Sequence, residues 1–372
     1  MAPPIKVGLI GYGFSTKCFH LPFILPNPDL QVHAFLQRKA APADASHVEA
    51  GVHCTIDHPA AKHYRTADAF FGDADIQLVA ICTGHDTHFA LAKQALLAGK
   101  HVVLEKAFTV TSAEADELVA LAKERQVVLT GFQNRRYDSD FRTLRKLVDA
   151  GAFGKVTEFE NHYDVDSPDW VRSWRDPGYV PGSGMLYGLG THSIDQTLVL
   201  FGLPRSVTAF VRSLRMDSQT EDSFTIILQY DGARKDLIAT VKTTFVSPLP
   251  MARQPKFRVR GEQGAFIKTG EDPQIDHLLA GMKPVEDPRF GIEPEGYRGY
   301  LHTLASSPYG EFDGVIESEK GSYADYYVDV VAAIRGEREV AVKPEDSRNG
   351  IRIIELSRES AAKGVTVPWS EK

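Results

Sequence analysis

Short apolar runs punctuate the start of the chain at 5–10, 32–36, 78–82, 101–104 and 127–130. Each is too short for a buried helix and reads as a strand covered on both faces. Segments with helical spacing lie between them. One over 17–25 follows the first run, and one over 86–98 ends at Gly99, a C-terminal stop signal. Thr111-Ser112-Ala113-Glu114 has the form of a capping box and opens a helix to about Arg125. Strand and helix alternating in this way predict a doubly wound parallel sheet. After position 149 the runs lengthen and several alternate, at 156–163, 206–214, 223–230, 237–245 and 257–268. They predict an α+β region with a large, open, mostly antiparallel sheet. The stretch 273–318 is rich in Pro, Gly and charge and reads as extended loop. Helical patterns over 323–335 and 344–363 close the chain.

The length of 372 residues exceeds what one core usually supports. The change of pattern places the expected domains at 1–132 and 133–372, with the last helix returning to the first domain. Hydrophobic residues at 43% and charged residues at 24% describe an ordinary folded chain. The formal net charge of -7 argues against nucleic acid as the partner. No apolar run is long enough to span a membrane, and no signal peptide is expected at the start. Cys18, Cys54 and Cys82 match no zinc or redox spacing, so a reducing, cytoplasmic setting is expected.

The first chemical signal is Gly8-Leu9-Ile10-Gly11-Tyr12-Gly13-Phe14-Ser15-Thr16, between the first strand and a helix. Gly11 suits the tight turn and Gly13 the close approach of a pyrophosphate, with the helix start supplying partial positive charge. Thr16 stands where the third glycine of the dinucleotide fingerprint belongs. At the end of the second strand, Gln37-Arg38-Lys39 replaces the carboxylate that would read a ribose 2'-hydroxyl. A guanidinium at Arg38 pairs with a 2'-phosphate, so NADP(H) is favoured over NAD(H).

Ala98-Gly99-Lys100-His101-Val102-Val103-Leu104-Glu105-Lys106-Ala107, taken with the glycine loop, resembles the Gfo/Idh/MocA oxidoreductases. Gln133-Asn134-Arg135-Arg136-Tyr137 and His192-Ser193-Ile194-Asp195-Gln196-Thr197 resemble the subgroup that contains NADP-dependent scyllo-inositol dehydrogenases. The resemblance implies hydride transfer between a nicotinamide and an alcohol or carbonyl carbon of a small-molecule sugar, cyclitol or related metabolite. It also implies a homodimer or higher homo-oligomer formed through the second sheet. Lys106 matches the lysine of the Glu-Lys-Pro motif, beside the reacting oxygen, with Ala107 in place of Pro. His192 matches the second catalytic group. Glu105, Thr83, His88 and Asn134 match positions near the cofactor, alongside Phe14 and Ser15 in the loop. Asp195, His162 and Tyr163 match substrate-side positions.

The chain departs from the family pattern at Gly188, where relatives carry an Asp four residues before the His. It departs again at Val165 and Ser167, where close relatives often carry Arg. Trp174 and Arg175, with Trp170 and Arg172, offer aromatic and guanidinium groups that suit a sugar or an aromatic metabolite. His162, Asp164 and Asp166 alternate along a strand but lack a further metal ligand, and no metal is expected. The departure at Gly188 leaves two alternatives to redox chemistry. One is a repurposed member catalysing elimination, isomerisation or cyclisation; the other is an inactive NADP-binding regulator.

Overall fold

The apolar runs at the start of the chain become a six-stranded parallel sheet in the computed structural model, which describes residues 2–167, 179–215, 218–305 and 308–370. Its strands are β1 (Ile5–Ile10), β2 (Leu30–Leu36), β3 (Lys62–Tyr64), β4 (Leu78–Ile81), β5 (His101–Leu104) and β6 (Leu129–Gly131). The spatial order β3-β2-β1-β4-β5-β6 reverses between β1 and β4. In open sheets of this kind ligands bind beyond the strand C-termini at that reversal. Val7, Leu9, Val79, Val102 and Val103 are fully buried, which is why these strands are apolar throughout rather than alternating. The helix Ser112–Arg125 begins with the expected capping box. Thr111 Oγ1 accepts from Glu114 N at 3.2 Å, and the Glu114 carboxylate accepts from Thr111 N at 3.1 Å. The short strand β3 carries only three residues and no apolar run, so sequence pattern does not reveal it.

Two compact units make up the chain. The first comprises Met1–Gln133, His277–Pro288 and Tyr323–Arg348; the second comprises Asn134–Asp276, Arg289–Ser322 and Asn349–Lys372. The sequence pattern places 133–372 in one domain with the last helix returning to the first; instead 277–288 and 323–348 fold with the first unit, and most of the last helix, Pro344–Lys363, stays with the second. For 323–348 the reason is aromatic. Tyr323, Tyr326 and Tyr327 open the helix Ala324–Ile334 on one face and are fully buried. Tyr323 meets Phe23 edge-on, with ring centroids 5.9 Å apart, and Tyr326 meets Phe132 at 4.8 Å. The Tyr326 hydroxyl donates to Gly131 O at 3.0 Å, at the end of β6.

The second unit holds a nine-stranded sheet ordered β14-β13-β12-β11-β7-β10-β9-β8-β15. Its strands are β7 (Val156–His162), β8 (Ser206–Arg212), β9 (Ser223–Gln229), β10 (Ile238–Thr243), β11 (Pro255–Gly261), β12 (Gly264–Thr269), β13 (Tyr300–Thr303), β14 (Phe312–Val315) and β15 (Val367–Pro368). Among the described residues of this sheet, only β7 and β10 pair in parallel. The fold class expected from sequence is therefore found, with one mixed pair. On the buried face Phe159 stacks with Phe257 (6.2 Å) and meets Phe201 (5.0 Å) on the helix Thr191–Phe201. Two expectations change. The run 257–268 is not one strand but the hairpin β11–β12, because Glu262 and Gln263 turn the chain back, their amides bonded to Lys155 O and Phe153 O. The stretch 273–318 is not all loop: it holds the helix Gln274–Leu279, β13 and, at the edge of the sheet, β14, and strands of four residues are too short to stand out in the sequence pattern.

Tyr326→Ala is expected to destabilise the first unit by about 3–5 kcal/mol, as for other buried aromatics. Tyr326→Phe, which removes one donor to Gly131 O while the Gln133 amide still donates to it at 2.9 Å, should cost about 0.5–1.5 kcal/mol. Urea midpoints of the full chain by fluorescence would check both, and a Tyr326→Phe midpoint equal to that of wild type would refute the role given to the hydroxyl.

Candidate active site

The loop after β1 is shaped by close approach. Gly11 has φ +93°, and a Cβ there would lie 2.5 Å from Cys82 O at the end of β4, so no other residue fits. At Gly13 no atom lies within 4 Å of where a Cβ would be, leaving open space beside the backbone. Thr16, fully buried, donates from Oγ1 to Gly11 O at 3.0 Å and closes the loop. A side-chain bond there does what close glycine packing does in the usual fingerprint. Phe14 is 61% exposed and meets Phe19 edge-on. Tight turn, open space and helix start together fit a pyrophosphate.

Glu105, at the end of β5, ties this loop to the lysine beside it. The buried carboxylate accepts from Ser15 Oγ, from His20 Nε2 at 3.2 Å, and from Lys106 N at 2.9 Å. His20 Nδ1 lies 2.6 Å from the Tyr327 hydroxyl, and its ring packs 4.2 Å from that of Phe132. Burial works to raise the Glu105 pKa, but His20, Lys106 and Ser15 bring it down to about 2. Burial works to lower the His20 pKa, and Cys82 and Glu105 raise it to about 10. His20 and Glu105 thus form a buried ion pair. Sequence reasoning missed His20 because its partners lie far away along the chain. Lys106 itself is half-buried.

Thr83 and His88 follow β4. The Thr83 hydroxyl lies 2.7 Å from that of Thr87. His88 is fully buried, with Nδ1 2.8 Å from Ala107 O and Nε2 3.2 Å from Thr83 O. Burial lowers its pKa. His88 therefore braces the turn after β4 against the turn after β5. Arg38 and Lys39 project from the end of β2, both exposed.

In the second unit, His192 is buried in the first turn of the helix Thr191–Phe201. That helix is anchored at several points. Asn161 Nδ2 donates to Ser193 O and Gln196 Oε1, each at 3.1 Å, and Gln196 Nε2 donates to Arg135 O at 3.0 Å. Asp195 is gripped by Arg136 at 2.8 and 2.6 Å, a bidentate pair that sequence spacing did not reveal. Tyr163 lies with its ring centroid 6.5 Å from that of His192. Arg135 and Lys256 each stand 4.7 Å from its centroid, and Arg135 donates to its hydroxyl. His162 points from the other side of β7, since neighbouring side chains alternate; its nitrogens lie 3.0 Å from Glu160 and 3.3 Å from Asp164. Asn134 is buried at the start of a 3₁₀ turn, Asn134–Tyr137. Trp174 and Arg175, with Trp170 and Arg172, lie outside the described residues.

Gly188 sits in a π-helical turn, Leu186–Gly190, that leads into the His192 helix. Such turns recur at functional sites. The turn is held by Glu221, which accepts from Leu186 N at 3.1 Å and from Arg358 Nη2 at 2.9 and 2.8 Å. Gly184, at φ +97°, lets Glu221 in: a Cβ there would lie 2.3 Å from its carboxylate. Among the described residues no helix is long and apolar enough to cross a membrane.

Comparison with known proteins agrees with this geometry. Residues 5–132 match the oxidoreductase-family NAD-binding Rossmann fold, and residues 145–369 match the oxidoreductase-family C-terminal alpha/beta domain. The chain is 37% identical to the uncharacterized oxidoreductase YdgJ of Escherichia coli (strain K12), covering 99% of each. It is 33% identical to scyllo-inositol 2-dehydrogenase (NADP(+)) IolW of Bacillus subtilis (strain 168), covering 98% of this chain and 95% of the relative. The solved structure of an oxidoreductase from Bacillus cereus superposes with a TM-score of 0.85 at 29% identity, covering 98% of this chain and 99% of that one.

Glu105→Gln should destabilise the protein by about 3–5 kcal/mol, as when one member of a buried ion pair is removed. The contribution of Glu105 is full above the ordinary glutamate pKa and is lost as pH falls toward about 2. The contribution of His20 is full below the ordinary histidine pKa and is lost as pH rises through about 10. The gap in melting temperature between wild type and variant should therefore peak between about pH 4.3 and 6.5. A gap that does not change with pH would rule the ion pair out.

Proposed function

Because the chain belongs to the Gfo/Idh/MocA oxidoreductase family, we propose that it is an NADP(H)-dependent oxidoreductase acting on an alcohol or carbonyl group of a sugar, cyclitol or related metabolite. The observation that carries this reading is the Glu105 carboxylate, which binds the glycine loop through Ser15 and the catalytic lysine through its amide. One residue thereby sets the pyrophosphate cradle and the reacting end in register. When bound, the nicotinamide supplies the hydride acceptor or donor.

The chain's own residues do the rest. Gly11, Gly13, Phe14, Ser15 and Thr16 hold the pyrophosphate. Arg38 pairs with a ribose 2'-phosphate, for which the absence of a carboxylate at the end of β2 speaks. The NADP(+) specificity in the name of the relative IolW agrees. Thr83 lines the cofactor side, and His88 shapes that loop from behind. The Lys106 ammonium hydrogen-bonds the reacting oxygen as negative charge develops on it. His192 takes the proton from the substrate hydroxyl in oxidation and returns it in reduction. Asp195, held by Arg136, and Tyr163, flanked by two cations, are the polar groups offered to substrate hydroxyls. His162 has no part in this reading, since Glu160 and Asp164 hold it on the other face of β7.

Two further assignments belong to the proposal. The outer face of the second sheet exposes Phe210, Ile238, Ile267, Tyr300 and Val315, and we assign it to contact with a second copy of the chain. The three cysteines form no disulfide, in keeping with a cytoplasmic enzyme. Gly188 favours a second reading: with no carboxylate four residues before His192, the site suits a member that turns over substrate without net redox change.

The test follows NADPH absorbance with a panel of polyols, sugars and carbonyl compounds. Substrate-dependent change is expected. Lys106→Met should lower kcat by about 10²–10⁴-fold with nucleotide affinity held within about threefold. Gly188→Asp should raise polyol oxidation if only the proton relay is weakened. Conversion of substrate with no net change in NADPH would select the second reading. Failure to bind either nucleotide would overturn both.

A further inference from the structure

The end of β2 is held from behind in a way that bears on which nucleotide is bound. Three consecutive carbonyls leave β2: Gln37 O, Arg38 O and Lys39 O. Each accepts a hydrogen bond from a different side chain of the first unit. His63 Nε2 donates to Gln37 O at 2.9 Å, Arg65 Nε to Arg38 O at 3.2 Å, and His53 Nε2 to Lys39 O at 3.2 Å. A carbonyl only accepts, so in both histidines the proton sits on Nε2. The tautomer of His53 is fixed from its other side, since Nδ1 accepts from Thr55 N at 3.3 Å and lies 2.8 Å from the Thr55 hydroxyl. The two rings meet edge-on at 4.8 Å, and His53 is fully buried.

Gln37 is tied inward at every other point. Its amide donates to Tyr64 O at 3.0 Å, and its side-chain oxygen accepts from Cys54 N at 3.0 Å. What remains for a ligand is positive. The side chains of Arg38 and Lys39 are exposed and make no hydrogen bond or ion pair among the described residues, and the amide N–H groups of Arg38 and Lys39 have no protein acceptor there. The carbonyl oxygens, which would repel an anion, are engaged elsewhere. Amides and cations presented together in this way form an anion cradle. His53, Cys54 and His63 also bring ligand atoms within 4.8 Å of one another, as a metal site would. Both Nε2–H groups are committed to carbonyls, however, so the hydrogen bonds account for the cluster.

We propose that His63, Arg65 and His53 are positioning residues for cofactor selection: they fix the 37–39 backbone so that Arg38 and Lys39 receive the phosphate monoester on the ribose. This rests on the NADP(H) reading above. It adds that preference for the phosphorylated nucleotide depends on side chains that touch no part of it, supplied by β3, by the residue after it and by the N-cap of the helix Cys54–Asp57. Loosening the backbone lowers affinity for a 2'-phosphate without altering the sites for pyrophosphate or nicotinamide, so the effect is confined to one nucleotide.

Binding of NADPH and of NADH to the full chain is measured by fluorescence titration for wild type, His63→Ala, His63→Gln and Arg65→Ala. Wild type is expected to bind NADPH at least about tenfold more tightly than NADH. His63→Ala should weaken NADPH by about tenfold and leave NADH within about twofold. His63→Gln, whose amide restores a donor toward Gln37 O, should recover most of the loss. Arg65→Ala, at an exposed position, should weaken NADPH selectively even where His63→Ala fails to fold. Equal weakening of both nucleotides, or no change in either, overturns the positioning role while leaving a wild-type preference for NADPH intact. A wild type that does not prefer NADPH overturns the cofactor reading itself, and the positioning role with it.

Discussion

The first unit is organised around a single buried carboxylate. Glu105 is buried at the end of β5, so its charge must be met by protein donors. Ser15, His20 and the Lys106 amide meet it. Ser15 belongs to the glycine loop, His20 to the π-helical turn beyond it, and Lys106 to the end of β5. The demand of one charge for partners therefore fixes three chain segments at once. Tyr327, reaching His20 at 2.6 Å, brings a fourth segment from more than 300 positions away. That bond adds to the ring contacts of Tyr323 and Tyr326 in making this helix part of the first unit.

The second unit solves the same problem with other pairs. Asp195 is held by Arg136, and Glu221 by Arg358 and the Leu186 amide. Both pairs act on the helix that bears His192, one from within its first turns and one at the π-helical turn leading into it. Buried ion pairs add little net stability, because desolvation offsets the attraction. They do define geometry, since each partner tolerates few alternatives. A histidine proposed for proton transfer gains from that definition, as a small displacement of such a group is costly to rate.

Gly188 looks different in this setting. In a regular helix a glycine would weaken the element by about 1 kcal/mol relative to alanine. Here it lies in a π-helical turn held by Glu221 and Arg358, so the turn does not rely on local propensity.

The amino-acid sequence by itself determined the parallel sheet, the capping box at Thr111, the glycine loop and the placement of Lys106 at a strand end. All are local: a run of apolar residues, a cap three positions from its partner, or a turn that only glycine fits. The resemblance to a known family rests on such contiguous stretches. Only the tertiary structure decided that His20 charges Glu105, that Arg136 grips Asp195, that His162 turns away from Tyr163, and that three side chains hold the 37–39 carbonyls. It also decided that 257–268 turns back on itself and that 323–348 folds with the first unit. Those outcomes depend on which buried polar or aromatic groups find partners across long stretches of chain. Periodicity shows only that a side chain faces the interior, and the partner it meets there is set by how the elements pack.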